Sequence, residues 1–74
     1  MRFKTALFYN GTIVYYNVYT IGHNAYKIKL DSYNGATKPP TLIELHKEGH
    51  SWFSSCTDQE LIKELSAAID RKNN

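Results

Sequence analysis

Cysteine, proline, glycine and net charge are all scarce in this chain of 74 residues. It holds one Cys, two Pro and four Gly, and its nine Lys and Arg against seven Asp and Glu leave a formal charge of +2. A lone thiol excludes an intramolecular disulfide framework and any Cys-rich zinc site. No segment approaches the roughly 20 apolar residues of a membrane-spanning helix, so no membrane association is expected. The small positive charge falls short of the usual footprint of a dedicated nucleic-acid binder. Motif signatures are missing as well: there is no G-x-G-x-x-G, Walker A, H-E-x-x-H or paired-carboxylate pattern. The chain is therefore expected to be non-enzymatic and to use no cofactor. Met1-Arg2-Phe3-Lys4-Thr5 places charges where a secretory signal keeps an apolar run. No signal peptide is expected, and a cytoplasmic location is the default.

What is present is aromatic. Six Tyr, three Phe and one Trp make up 14% of the residues, within a chain that is 42% hydrophobic. That composition fits one domain over residues 1–74 with a single core, near the size at which such a core is only just sufficient.

Asn10-Gly11 stands between two β-rich runs, Arg2–Tyr9 and Thr12–Thr20. Both residues tolerate positive φ, as a two-residue type I′ hairpin turn requires. That turn dictates the register. Tyr9 should pair with Thr12, Leu7 with Val14, Thr5 with Tyr16 and Phe3 with Val18 on one uncharged face. Phe8 with Ile13, Ala6 with Tyr15, Lys4 with Asn17 and Arg2 with Tyr19 occupy the other face. The first face is the expected core side, and Tyr16 turns toward it.

Further along, Tyr26, Ile28 and Leu30 alternate with Lys27, Lys29 and Asp31, a half-buried strand. A loop follows from Asn34-Gly35 to Pro39-Pro40. Thr41–His46 reads as a fourth strand and His50–Ser55 as a short fifth, with Trp52 as the largest apolar side chain offered to the core. Thr57 and Glu60 form a T-x-x-E capping box, and Cys56 against Leu61 suggests a hydrophobic staple. Leu61, Ile62, Leu65, Ala68 and Ile69 then make one helical stripe. The expected fold is α+β: an antiparallel β-meander of four or five strands within residues 2–55, with one C-terminal helix over about 58–71 packed on one face.

Pro40-Thr-Leu-Ile-Glu-Leu, Gly49-His-Ser-Trp52, and Asp58-Gln-Glu-Leu61-Ile through Ala68-Ile69-Asp70 resemble a pattern in small uncharacterised bacterial proteins. Those chains place an antiparallel meander before a short terminal helix. The resemblance covers about the C-terminal half, consists of packing residues, and implies a fold without an activity or a site.

Three kinds of site are suggested by the residues themselves. His46 and His50 would face each other across a Lys47-Glu48-Gly49 loop and part if the turn were Glu48-Gly49 alone; a metal would also need Glu44 or Cys56 as a third ligand. Cys56, just before the helix, would be an activated thiol only beside a base, while a staple role would bury it. The more informative feature is the outer hairpin face. Residues 1–38 carry Arg2, Lys4, Lys27, Lys29 and Lys38 against Asp31 alone, whereas residues 39–74 are net acidic. Phe8, Ile13, Tyr15 and Tyr19, rimmed by Arg2 and Lys4, form an apolar patch suited to protein contact or a homodimer. The alternative is weak binding of single-stranded nucleic acid through Tyr15, Tyr19, Arg2, Lys4, Lys27 and Lys29.

Overall fold

A computed structural model describes residues 2–73. The chain forms β1 (Arg2–Tyr9), β2 (Thr12–Gly22), β3 (Ala25–Tyr33), β4 (Leu42–Glu48), β5 (Ser51–Ser54) and α1 (Gln59–Asn73). All five strands lie in one sheet in the order β1-β2-β3-β4-β5, each antiparallel to the next. The α+β meander with one terminal helix is thus the observed architecture.

The first hairpin has all eight pairs of the expected register, from Tyr9↔Thr12 to Arg2↔Tyr19. Asn10 and Gly11 both take positive φ, 51° and 79°. A second clamp holds the turn, because the Thr12 hydroxyl donates to the Tyr9 carbonyl at 3.0 Å.

The later strands depart from a plain alternation. Tyr15 pairs with Ser32 while Tyr16 pairs with Leu30, so Asp31 is an extra residue in a bulge. A second irregularity leaves Ile21 unpaired between Thr20 and Gly22. Bulges of this kind add local twist and re-aim side chains. Here the first one aims Asp31 at the outer face and lets β3 run on to Tyr33, past the expected end at Asp31.

The loop after β3 folds back over the inner side. Tyr16 donates its phenolic proton to the Pro40 carbonyl at 2.7 Å, which gives that proline segment a fixed place although it contributes no ladder donor. Gly35 approaches the hairpin so closely that an added Cβ would sit 2.9 Å from the Thr12 hydroxyl oxygen.

The turn between β4 and β5 differs from both expected versions. Glu48 pairs with Ser51, so the turn is Gly49-His50, and β5 starts one residue later than expected. Gly49 has φ of 62°, and glycine at the first central position is what a type II′ hairpin favours.

The inner face and the helix make the core. Leu7, Val14, Tyr16, Val18, Tyr26, Ile28, Ile43 and Leu45 of the sheet meet Leu61, Leu65 and Ile69 of α1, all buried. Trp52 is only half-buried at the margin, with its ring 6.0 Å from that of Tyr26. Helix α1 runs antiparallel to β1. Its first turns lie beside the end of the first hairpin, where Asp58, Glu60 and Glu64 share a surface cleft with Tyr9 and Asn10. At its other end, the Lys72 ammonium sits 5.7 Å from the centre of the Phe3 ring.

The expected capping box is replaced by a simpler cap. The Leu61 N–H donates to the Asp58 carboxylate at 3.2 Å, and the Ile62 N–H closes the first turn on the Asp58 carbonyl. Asp58, not Thr57, is therefore the N-cap, consistent with aspartate ranking above threonine there. The one-residue shift breaks the Cys56–Leu61 staple spacing, since N′ becomes Thr57. Cys56 still packs on the core, and its Sγ accepts from the Asp58 N–H at 3.4 Å.

Candidate functional site

The helix covers one side of the sheet, which leaves the other side open from β1 to β5. The pairing registers arrange its side chains in rows. Phe8 and Ile13 lie side by side at the hairpin end, with Ala6 and Tyr15 in the next row. Lys4, Asn17, Lys29 and Leu42 form a third row, and Arg2, Tyr19, Lys27 and Glu44 a fourth. Beyond them, Ala25, His46 and Phe53 close the far corner.

An apolar corner therefore lies at one end of a polar band, with Leu42 inside the band and Phe53 beyond it. In that corner, Phe8 is 65% exposed, with Ile13 and Tyr15 exposed beside it. These are three of the four aromatic and aliphatic residues singled out from sequence; Tyr19, the fourth, is only half-exposed under the Lys29 ammonium, 5.7 Å from its ring centre. Sequence reasoning missed two exposed apolar residues farther along, Leu42 and Phe53, which Glu44 separates on this face. Leu42 is 53% and Phe53 46% exposed, and the Phe53 ring stacks on His46 at 5.2 Å. Their signal was parity: Leu42 and Phe53 alternate with the buried or half-buried Ile43 and Trp52, so they had to face away from the core.

The band is less cationic than its sequence suggests. Lys4 pairs with Asp31 at 3.2 Å, and Asn17 donates to the same carboxylate at 3.1 Å. The Asn17 hydrogen bond, and then that from Lys4, hold the Asp31 carboxyl below the usual carboxylate range. Lys27 stands directly across from Glu44. Arg2 instead faces Tyr19, and Lys29 lies between Asn17 and Leu42, so no acidic residue stands directly across from either.

The histidines do not converge. His46 faces Phe53 on the open side and contacts Glu48 at 3.4 Å, whereas His50 lies in the turn. The register leaves His46 and His50 apart, as a two-residue turn requires, with that turn on Gly49-His50. Among the described residues, no three His, Cys, Asp or Glu side chains come together as a metal site. No described helix is long and apolar enough to cross a membrane.

A cleft of about 410 Å³ opens on the helix side, lined by Asn24, Tyr26, Lys47, Trp52, Asp70 and Asn73. Its polar groups satisfy one another. Lys47 reaches Asp70 at 3.5 Å and lies over the Trp52 ring, while the Asn73 amide donates to the Tyr26 hydroxyl at 3.1 Å. These contacts tie the helix end to the sheet, and they account for the residues present.

No family model matches the chain, and neither a curated protein nor a solved structure matches it. The antiparallel meander and terminal helix that the resemblance implied are present, and no comparison ties the chain to a family.

Proposed function

We propose that this chain is a small non-enzymatic interaction module that binds protein, a second copy of itself included, through the open side of its sheet. The observation that carries the reading is the Phe8, Ile13 and Tyr15 corner. Three large apolar side chains lie together on the side the helix does not cover. Keeping such a cluster in water forgoes about 25 cal/mol for each Å² that a partner would cover. Lys4 and Arg2, one and two rows away, supply a polar rim of the kind that surrounds apolar contact centres.

Sedimentation across a wide concentration range tests this. The wild-type chain is expected to associate reversibly, and Phe8→Ser to shift the midpoint to higher concentration by about tenfold or more, the effect of losing a buried aromatic anchor. A wild-type chain that stays monomeric at millimolar concentration would remove self-association from the reading.

One observation favours a second reading, in which the face holds single-stranded nucleic acid. Lys29 over Tyr19, next to Arg2 and Lys27, places cations beside an aromatic ring. Stacking and phosphate contact use that combination. The neighbouring Asp31 and Glu44 oppose it by offsetting Lys4 and Lys27. Fluorescence anisotropy with labelled oligonucleotides decides between the two: affinity that falls steeply with salt supports nucleic acid, and no binding at low salt ends it.

A further inference from the structure

The two edges of the sheet are built differently. β5 is four residues long and ends in a serine-rich turn toward the helix, a blunt edge. β1 has eight residues, contains no proline, and pairs with β2 without a bulge along its whole length. No short length, proline or bulge blunts this edge, and the charged Arg2 and Lys4 at its start are its protective residues. Because Tyr9 and Thr12 close a two-residue hairpin, the N–H and C=O groups of the odd-numbered residues of β1 point to β2. Those of Arg2, Lys4, Ala6 and Phe8 point to the open edge.

The charges along this edge run from one sign to the other. Arg2 and Lys4 lie at its start, and Lys72 of the helix stands over Phe3. Glu64 lines the cleft beside Ala6, Leu7 and Phe8, and Asp58 and Glu60 lie farther on beside Tyr9. An edge that is basic at one end and acidic at the other is complementary to itself when turned end for end.

We propose that a second copy of this chain adds to the β1 edge, antiparallel and related by a twofold axis through Thr5, to give one continuous ten-stranded sheet. The proposal rests on the self-association part of the reading above and moves the contact between copies from the open face to the β1 edge. In this register Arg2 faces Phe8 of the second copy and Lys4 faces Ala6, so every edge-directed backbone group of these four residues gains a partner. On the helix side Phe3 meets Leu7 of the second copy. That brings Lys72, which covers Phe3, toward the Glu64 that flanks that Leu7. The two helices then lie side by side, antiparallel, each offering its acidic start to the other's basic end. The dyad is isologous and closed, which stops assembly at two. Both open faces end up on the same side of the joined sheet and form a single larger binding surface.

Sedimentation of backbone and charge variants tests the proposal. Ala6→Pro removes an N–H that points away from β2, a substitution an edge strand tolerates. It is expected to give a folded monomer, with the dissociation constant raised at least about tenfold. Glu64→Lys and Lys72→Glu are each expected to weaken the dimer by about tenfold or more, the effect of reversing one partner in both symmetry-related charge contacts, and the double variant to restore it. That rescue does not depend on how well the proline variant folds. A folded Ala6→Pro chain that dimerises like wild type, or a double variant no tighter than the singles, overturns the edge arrangement and leaves association through the open face standing. A wild-type chain that never associates overturns both.

Discussion

Leu65→Ala is expected to lower the unfolding free energy by about 2–5 kcal/mol, as read by urea denaturation followed by circular dichroism. A chain of this length holds about 4–11 kcal/mol in all, at the usual stability per residue. The substitution therefore removes a large share of it. Leu65 is fully buried at the middle of the apolar stripe of α1, between Leu61 and Ile69, and faces the inner side of the sheet. Alanine is at least as good a helix former as leucine, so the loss is one of packing and not of helix propensity. A free helix of this length is marginal in water. Once its grip on the sheet loosens, the helix has little reason to persist, and the inner face it covered is exposed. Lys63→Ala, on the exposed side of the same helix, is expected to change stability by less than about 0.5 kcal/mol. A Leu65→Ala loss no larger than that of Lys63→Ala would show that the helix does not close the core.

Tyr16→Phe is the second large effect, and it depends on pH. Tyr16 is completely buried, and its hydroxyl serves the Pro40 carbonyl. Removing it leaves that carbonyl without its donor, a cost of about 1–2 kcal/mol at neutral pH. Burial pushes the Tyr16 phenol well above its ordinary value, with smaller contributions from the negative charges that Cys56, Tyr9 and Asp58 would carry. The sign follows from proton counting. Near pH 10 an unfolded tyrosine begins to lose its proton, while the folded chain keeps it. The unfolded state then binds fewer protons, so stability falls as pH rises, by up to about 1.4 kcal/mol per pH unit from this one group. Below that range both states are protonated, and the contribution is constant. Wild type should therefore lose stability between pH 10 and 12 more steeply than Tyr16→Phe, and the two curves should converge. Denaturation curves at a series of alkaline pH values measure this. Parallel curves would mean that Tyr16 ionises as readily in the folded chain as in the unfolded one.

The parts of the fold that were legible in the sequence are those where one residue type admits one geometry. Asn10-Gly11 allowed a single turn, and the turn set eight strand pairs and both faces of the hairpin. The helix stripe was equally plain. The illegible parts were near-degenerate choices. Glu48-Gly49-His50 admits several turns differing by one residue, and each sends His46 to a different partner. Thr57 and Asp58 are both good caps, and the better one prevailed. The bulge at Asp31 left no trace, since an inserted residue of ordinary polarity does not interrupt a visible alternation. Of the candidate surface, the hairpin corner was readable because its register was. The exposure of Leu42 and Phe53 was not, because it is set only once three more strands are laid beside the hairpin.

Every strand of this sheet lies next to the one made just before it, and only α1 reaches back across the molecule to β1. The strand pairings thus close short loops, each within reach of microsecond hairpin formation. Helix docking brings α1 back to β1 across all the other strands, a far longer loop, and can come only once α1 has been made. During synthesis the meander would stand with its inner face bare until that moment. The helix is then the latch that closes the inner face of a sheet built from local pairings.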